Sequence, residues 1–285
     1  MRLRKLPCIL ASSANVVRMR PRRLRWWVEV GLTLALYLIY SGIRNQFGSS
    51  LGEAGLRHAF ENAQRVISFE KALGLYFEEE FQAAFLGSDA FIIFWNVFYG
   101  TLHFGATIAV LVYLFRTFPE RYTFMRTALA SMTGLALFGF ALFPLMPPRL
   151  MSSCTSQFGA CDLSYSYVDT LVTVGGPWSF ESDSMQSITN QFAAMPSLHI
   201  GWSLWCVVAA LPVLRNRWAR WGLASYPALT MFSIIVTANH FWLDAVGGIG
   251  VLCGGLLLAT RLTRLLPGPP GTLFSDAVGR TSRAG

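Results

Sequence analysis

The chain has 285 residues, of which 53% are hydrophobic and only 13% charged, about half the charged share of a soluble domain. Mean hydropathy is +0.45, and several apolar runs approach or exceed the roughly 18 residues that can cross a bilayer. A soluble globular enzyme is excluded. The formal charge of +8 does not argue for nucleic acid either, because Lys and Arg gather at the ends of the apolar runs, a topogenic pattern.

Residues 1–25 hold eight Lys and Arg and no acid. They read as a basic cytoplasmic tail and not as a cleavable signal, since the apolar run that follows is bulky up to Ser41-Gly42. The first span is expected at about 26–43. Residues 44–87 change character. Leu56, Phe60, Ala63 and Ile67 fall at helical spacing, as do Phe69, Leu73, Phe77, Phe81 and Phe85, with Glu61, Glu70, Glu78, Glu79 and Glu80 at the intervening positions. This segment predicts amphipathic helix, broken near Gly74, lying on the membrane or on the helical bundle.

A second span is expected at about 90–115, where Asn96, Tyr99 and His103 share one helical face. Arg116, Arg121 and Arg126 follow in a loop with Pro119. The third span, about 127–146, carries Gly134 and Gly139 as close-packing positions and ends in Pro144-Leu145-Met146-Pro147-Pro148-Arg149. Residues 147–197 form an outer loop, long enough to suggest a substrate-binding cap. Cys154 and Cys161 lie in it, seven apart, and form a candidate disulfide if that side is oxidising; no metal spacing such as C-x-x-C occurs. Further spans are expected at about 198–214, 221–238 and 241–260. Residues 263–285 read as a disordered cytoplasmic tail.

The expected fold is therefore all-α: a polytopic membrane domain over 26–262 with six transmembrane helices and an amphipathic outer-face helix. With both termini inside, 18 of the 23 Lys and Arg fall on the cytoplasmic side, while all acids but Glu29, Glu120 and Asp276 fall outside. This orientation puts His199, His240, Asp244, Arg149 and the long loop on one outer face.

The chemistry concentrates there. His240 and Asp244 are four apart, one turn on a helix. A carboxylate beside an imidazole fixes its tautomer and raises its basicity, which suits a nucleophilic histidine. His199 follows Pro196 and Ser197 at another helix start. It is placed to protonate a leaving oxygen, and N–H groups of that helix start, with Ser197, suit phosphate. Arg149 offers a bidentate fork. Each residue alone also fits an ordinary role: an interhelix hydrogen bond for a histidine, a pairing acid for Asp244, an interfacial anchor for Arg149. Together they point to attack on phosphorus without metal or cofactor.

Ala194-Met195-Pro196-Ser197-Leu198-His199 and His240-Phe241-Trp242-Leu243-Asp244 resemble two signatures of the type 2 phosphatidic acid phosphatase (PAP2) superfamily, over about residues 55–262. The resemblance implies a PAP2-like helical core, with His199 as acid and His240, paired with Asp244, as nucleophile. The usual Lys-x6-Arg-Pro signature is missing, and Leu198 replaces the common Gly. Asn96 to His103, Pro147-Pro148-Arg149, Glu70-x3-Gly74 and Tyr167-Val168-Asp169 look like the branch containing the fungal inositol phosphorylceramide synthases. That likeness implies an inositolphosphotransferase at the plasma membrane. It would move a phospho-alcohol headgroup from phosphatidylinositol to a lipid or glycan hydroxyl through a phosphohistidine. Arg149 would hold phosphate; His103, Tyr99 and Asn96 would line the site; Asp169 would meet an inositol hydroxyl. The alternative is a PAP2-type phosphatase of a lipid or polyprenyl phosphate or pyrophosphate. A transporter would explain the intramembrane polar residues but not the paired motifs, and nucleic acid is not expected as a partner because the outer side is net negative.

Overall fold

A computed structural model describes residues 24–46, 53–152, 162–175 and 191–265. The basic tail up to residue 23, the Cys154–Cys161 pair, Glu181, Asp183 and the tail beyond 265 lie outside the described residues. Among those described the fold is all-α, with ten helices. These are α1 (Trp26–Gln46), α2 (Glu53–Ala72), α3 (Glu78–Phe85), α4 (Asp89–Thr117), α5 (Pro119–Leu142), α6 (Pro148–Met151), α7 (Thr170–Thr173), α8 (Leu198–Ala210), α9 (Arg217–Val236) and α10 (Trp242–Leu265).

Three of them, α4, α5 and α10, are long and apolar enough to cross a membrane, and α8 is apolar but shorter. The protein is a polytopic helical membrane protein. The apolar runs seen in the sequence all become helix, but some boundaries move. The expected 116–126 loop shrinks to a single residue, Phe118, because Pro119 occupies the first turn of α5, where its missing N–H costs nothing. Arg121 and Arg126 are therefore helical. Arg121 reaches the carbonyls of Ala209 and Val208 at 2.7 Å each. Arg126 pairs with the buried Glu29 of α1, which also accepts from the Tyr122 hydroxyl. The fifth run likewise starts early, at Asn216, whose side chain caps α9 by accepting from the Trp218 and Ala219 N–H groups.

Packing places α10 along α5 and α8, with α4, α8 and α9 mutually in contact and α1 against α5. Small residues set these distances. A Cβ on Gly248 would lie 2.5 Å from the Ser197 carbonyl oxygen, and one on Gly255 would lie 2.7 Å from that of Ala128. Gly139 faces the Pro196 ring, as a close-packing position should, whereas Gly134 meets nothing within 4 Å and plays no such part.

The amphipathic segment breaks where expected, at Gly74 with φ +67°, which separates α2 from α3. Phe60, Ala63 and Ile67 are buried, in a core cluster with Leu145, Met146, Leu150 and Phe241. The rest of the segment turns its phenyl groups outward and its acids inward. Phe69, Leu73 and Phe77 are exposed, while Glu70 and Glu78 are buried. Two attachments account for this phase. The Glu70 and Glu78 carboxylates take backbone N–H groups of α10, and the phenyl groups are left for a lipid surface, where exposure costs nothing.

Candidate active site

His240 lies in the turn between α9 and α10. The N–H groups of Asn239 and His240 both donate to the Ile234 carbonyl, closing α9. Ala238 takes a left-handed φ of +50°, rare for a residue with a Cβ. Such strain is held only where neighbours fix it; here the Arg149 N–H donates to the Ala238 carbonyl at 2.8 Å. The pairing with Asp244 forms, but not inside a helix as the four-residue spacing suggests. His240 precedes α10 by two residues, and Asp244 sits in its first turn. One oxygen, Oδ2, accepts from the Phe241 N–H at 3.1 Å and from His240 Nδ1 at 3.0 Å. The helix cap and the imidazole partner are the same atom.

With Nδ1–H committed to the carboxylate, His240 Nε2 keeps its lone pair. That nitrogen points at His199 Nδ1, 3.3 Å away. His199 is the second residue of α8, after the buried Ser197, whose N–H donates to the Asp244 carbonyl at 3.0 Å and whose Oγ has no partner among the described residues. Tyr99 stacks on the His199 ring at 4.4 Å, and His103 meets it edge-on at 4.4 Å. His103 Nδ1 donates to the Tyr99 carbonyl at 3.0 Å, leaving Nε2 as an acceptor. Phe98, Tyr226, Thr230 and Ser233 close the space beside these rings, which holds no water-sized void.

Three of the expected site residues have other principal partners. Asn96 is spent on α7: its Nδ2 donates to the Thr170 and Gly175 carbonyls and its Oδ1 accepts from the Thr170 hydroxyl. Asp169 caps α7 through the Leu171 N–H and pairs with Arg149 at 2.5 Å. Arg149 is buried, and its other guanidinium nitrogens donate to Asn239 Oδ1 at 3.0 Å and Gln191 Oε1 at 3.1 Å. Arg149 is thereby tied to the residue before His240. Among the described residues, no group of three or more His, Cys, Asp or Glu is arranged to hold a metal ion.

A family profile described as the PAP2 superfamily matches residues 64–258, more than half of the chain. The chain belongs to the PAP2 superfamily. No curated protein and no solved structure matches it. PAP2 membership supports an enzyme acting on a phosphate or phosphoester group in general, and the long apolar helices place it in a membrane.

Around these residues stand others to which sequence reasoning assigns no part in the site, Glu70 entering it only through the Glu70-x3-Gly74 stretch. Gln82 of α3 is buried; it donates to the Val168 carbonyl at 2.9 Å and accepts from the Val168 N–H at 3.0 Å, pinning the stretch that carries Asp169. Asn239 orients Arg149 and donates to Thr237 Oγ1 at 2.8 Å. Glu78 Oε1 accepts from the Trp242 N–H and Glu70 Oε1 from the Leu243 N–H, both at 3.2 Å. The available signal was the run of acids from Glu78 to Glu80 beside an aromatic stripe, which reads as a solvated face until the partner N–H groups are seen. Burial, reinforced by Glu78, pushes the Glu70 carboxyl up to about 9. Tyr167 and Tyr76, hydroxyl to hydroxyl at 3.1 Å, are likewise pushed up by burial.

Proposed function

We propose that this protein is a membrane enzyme that opens a lipid-borne phosphoester by attack of His240 Nε2 on phosphorus. The observation that carries the reading is the Asp244–His240–His199 chain, with contacts of 3.0 and 3.3 Å, inside a PAP2-matched segment. Asp244 holds the His240 tautomer and stabilises the charge that grows on the ring. As the N–P bond forms, the bond to the leaving oxygen breaks, and His199 supplies the proton that oxygen takes. In the second step an acceptor O–H gives its proton back to His199, its oxygen bonds phosphorus, and the N–P bond breaks. Ser197 Oγ and the first N–H groups of α8 are the groups best placed to meet phosphate oxygens.

Water as acceptor makes the protein a PAP2-type phosphatase of a lipid or polyprenyl phosphate or pyrophosphate, the reading nearest to the family. One observation favours a second reading, inositolphosphotransfer from phosphatidylinositol to a lipid or glycan hydroxyl. Arg149, the cation tied to the His240 turn, already shares its charge with Asp169. A cation already paired with a carboxylate suits the single negative charge of a phosphodiester better than a phosphate dianion or a pyrophosphate. In that reading Asp169, His103 and Tyr99 would face the headgroup.

The accompanying topology is six spans, formed by α1, α4, α5, α8, α9 and α10. Both termini face the cytoplasm, and the site opens outward from a plasma membrane under the α2–α3 layer.

The test is purified protein in vesicles carrying, separately, phosphatidic acid, a polyprenyl pyrophosphate and headgroup-labelled phosphatidylinositol, with and without added ceramide or glycolipid. Inorganic phosphate release that His240→Ala abolishes establishes the phosphatase. Label transfer to the acceptor, equally lost, establishes the transferase. Full activity in His240→Ala removes the shared mechanism.

A further inference from the structure

The mechanism above leaves two buried acids unused. Glu70, near the end of α2, and Glu78, the first residue of α3, are 0% and 1% exposed. Neither forms an ion pair among the described residues. Glu78 Oε2 accepts from the neighbouring Phe77 N–H at 3.0 Å, and the other bonds converge on one place, the start of α10. Glu78 Oε1 takes the Trp242 N–H, Glu70 Oε1 takes the Leu243 N–H, and Asp244 Oδ2 takes the Phe241 N–H. The first three N–H groups after His240, which an α-helix leaves unsatisfied, are thus held by three carboxylates from three different elements. The Trp242 indole adds a bond to the Leu75 carbonyl at 2.8 Å, between α2 and α3.

We propose that Glu70 and Glu78 are positioning residues for the catalytic pair, fixing the first turn of α10 and with it the angle at which Asp244 presents its carboxylate to His240. The proposal rests on the roles assigned above to His240 and Asp244. The two acids act through backbone, not on substrate. A tilt of the first turn of α10 would move Asp244 Oδ2 away from Nδ1, and misplacement by about 1 Å costs on the order of a hundredfold in rate.

The clamp holds with one proton. Among the described residues, Glu70 Oε2 is buried without a partner when both acids are ionised, an arrangement that costs a full desolvation. A proton on that oxygen, donated to Glu78, satisfies it and removes the repulsion between the two. The charged groups facing Glu70 are Glu78 from α3 and Asp244 from α10, all acidic; Glu78 in turn lies near the hydroxyls of Tyr76 and Tyr167. Loss of the proton as pH rises through about 9 puts two carboxylates together at the helix start and loosens it.

Glu70→Gln keeps an acceptor for the Leu243 N–H and a donor for Glu78, with nothing to titrate. Glu70→Ala removes both. With phosphatidic acid and phosphatidylinositol as donors in mixed micelles, Glu70→Gln should keep kcat within about threefold near neutrality. Its activity should also persist at alkaline pH, where the wild type declines. Glu70→Ala should lose kcat at least tenfold with KM little changed. Hydrogen exchange over 239–245, which needs no turnover, should be unchanged in Glu70→Gln and faster in Glu70→Ala. Superimposable alkaline limbs in wild type and Glu70→Gln, or unchanged exchange in Glu70→Ala, overturns the proposal. His240→Ala, assayed alongside, separates the cases: if it is inactive while the Glu70 variants behave as wild type, positioning alone fails. If it is active, the mechanism itself fails.

Discussion

Asp244 makes two contacts with one oxygen, and the proposed chemistry uses both. Its Oδ2 caps the start of α10 and fixes the Nδ1–H tautomer of His240. In Asp244→Asn the amide oxygen still caps Phe241 but no longer carries the charge that stabilises an imidazolium. We expect kcat to fall by about 10²–10⁴-fold with KM little changed and the thermal midpoint nearly preserved, as steady-state assays and thermal unfolding would register. Arg149 predicts a different failure. Its guanidinium meets Asp169, Asn239 and Gln191 in three directions, a fork that an ammonium does not reproduce. Arg149→Lys keeps the charge, so a purely electrostatic role predicts near-normal turnover. The geometry predicts instead a loss of tenfold or more, with Asn239 and the His240 turn released. Turnover within twofold of wild type would show that charge alone matters.

At the scale of elements, α10 is set by what it lacks and by what lies over it. Gly248 and Gly255 meet backbone oxygens of the α8 start and of α5, atoms that move only with their helices. Gly248→Ala or Gly255→Ala should destabilise by about 1–3 kcal/mol and lower the thermal midpoint, Gly248→Ala with the larger loss of activity because Ser197 borders His199. An alanine at Gly134, which faces open space, should be silent in the same assay. The α2–α3 layer adds a pH dependence. The Glu70 carboxyl sits at about 9 against an ordinary 4.5, so the folded state holds a proton over that window that the unfolded chain releases. The sign follows from linkage: the stabilisation from this proton is complete below about 4.5 and is lost as pH rises to about 9. Thermal midpoints should fall across that range in the wild type and less steeply in Glu70→Gln.

These elements also show what the sequence made legible. Apolar length announced each long helix, and Gly74 announced the break. The spacing of His240 and Asp244 announced their contact, though the helix begins only after the histidine. The phase of α2–α3 was hidden, because Phe69 and Phe77 look like core residues and Glu70 and Glu78 like solvated ones. In a membrane protein apolar side chains also face outward, so amphipathicity gives a face without saying which way it turns. Arg149 was read as a free phosphate fork because its acid partner is 20 residues away in a loop. The 3.3 Å contact of His199 with His240 joins residues 41 apart, a closeness that no local pattern reports.

For the whole molecule, the shortest apolar helix carries the depth argument. With 13 residues, α8 rises about 20 Å, against a hydrocarbon thickness of about 30 Å. Its end at Ala210 is bracketed by cations: Arg121 on the Ala209 and Val208 carbonyls, and Arg220 on those of Leu211 and Leu214. If these arginines mark an interface, as the proposed topology has it, His199 at the other end would lie about 10 Å below the opposite one. In that topology α2 and α3 would fill the missing height, with the exposed Phe69, Leu73, Leu75 and Phe77 towards lipid, while their buried acids meet α10. A recessed site under an interfacial layer suits a substrate that stays in the membrane and presents only its phosphate. The proposed orientation has a direct test. In a background with the five cysteines replaced, Glu80→Cys on the exposed face of α3 and Asn216→Cys between α8 and α9 report opposite sides. A membrane-impermeant maleimide applied to intact cells should label the first, and the second only after lysis. Labelling of Asn216→Cys on intact cells would invert the molecule, and would move the phosphoester it opens from the outer leaflet to the inner one.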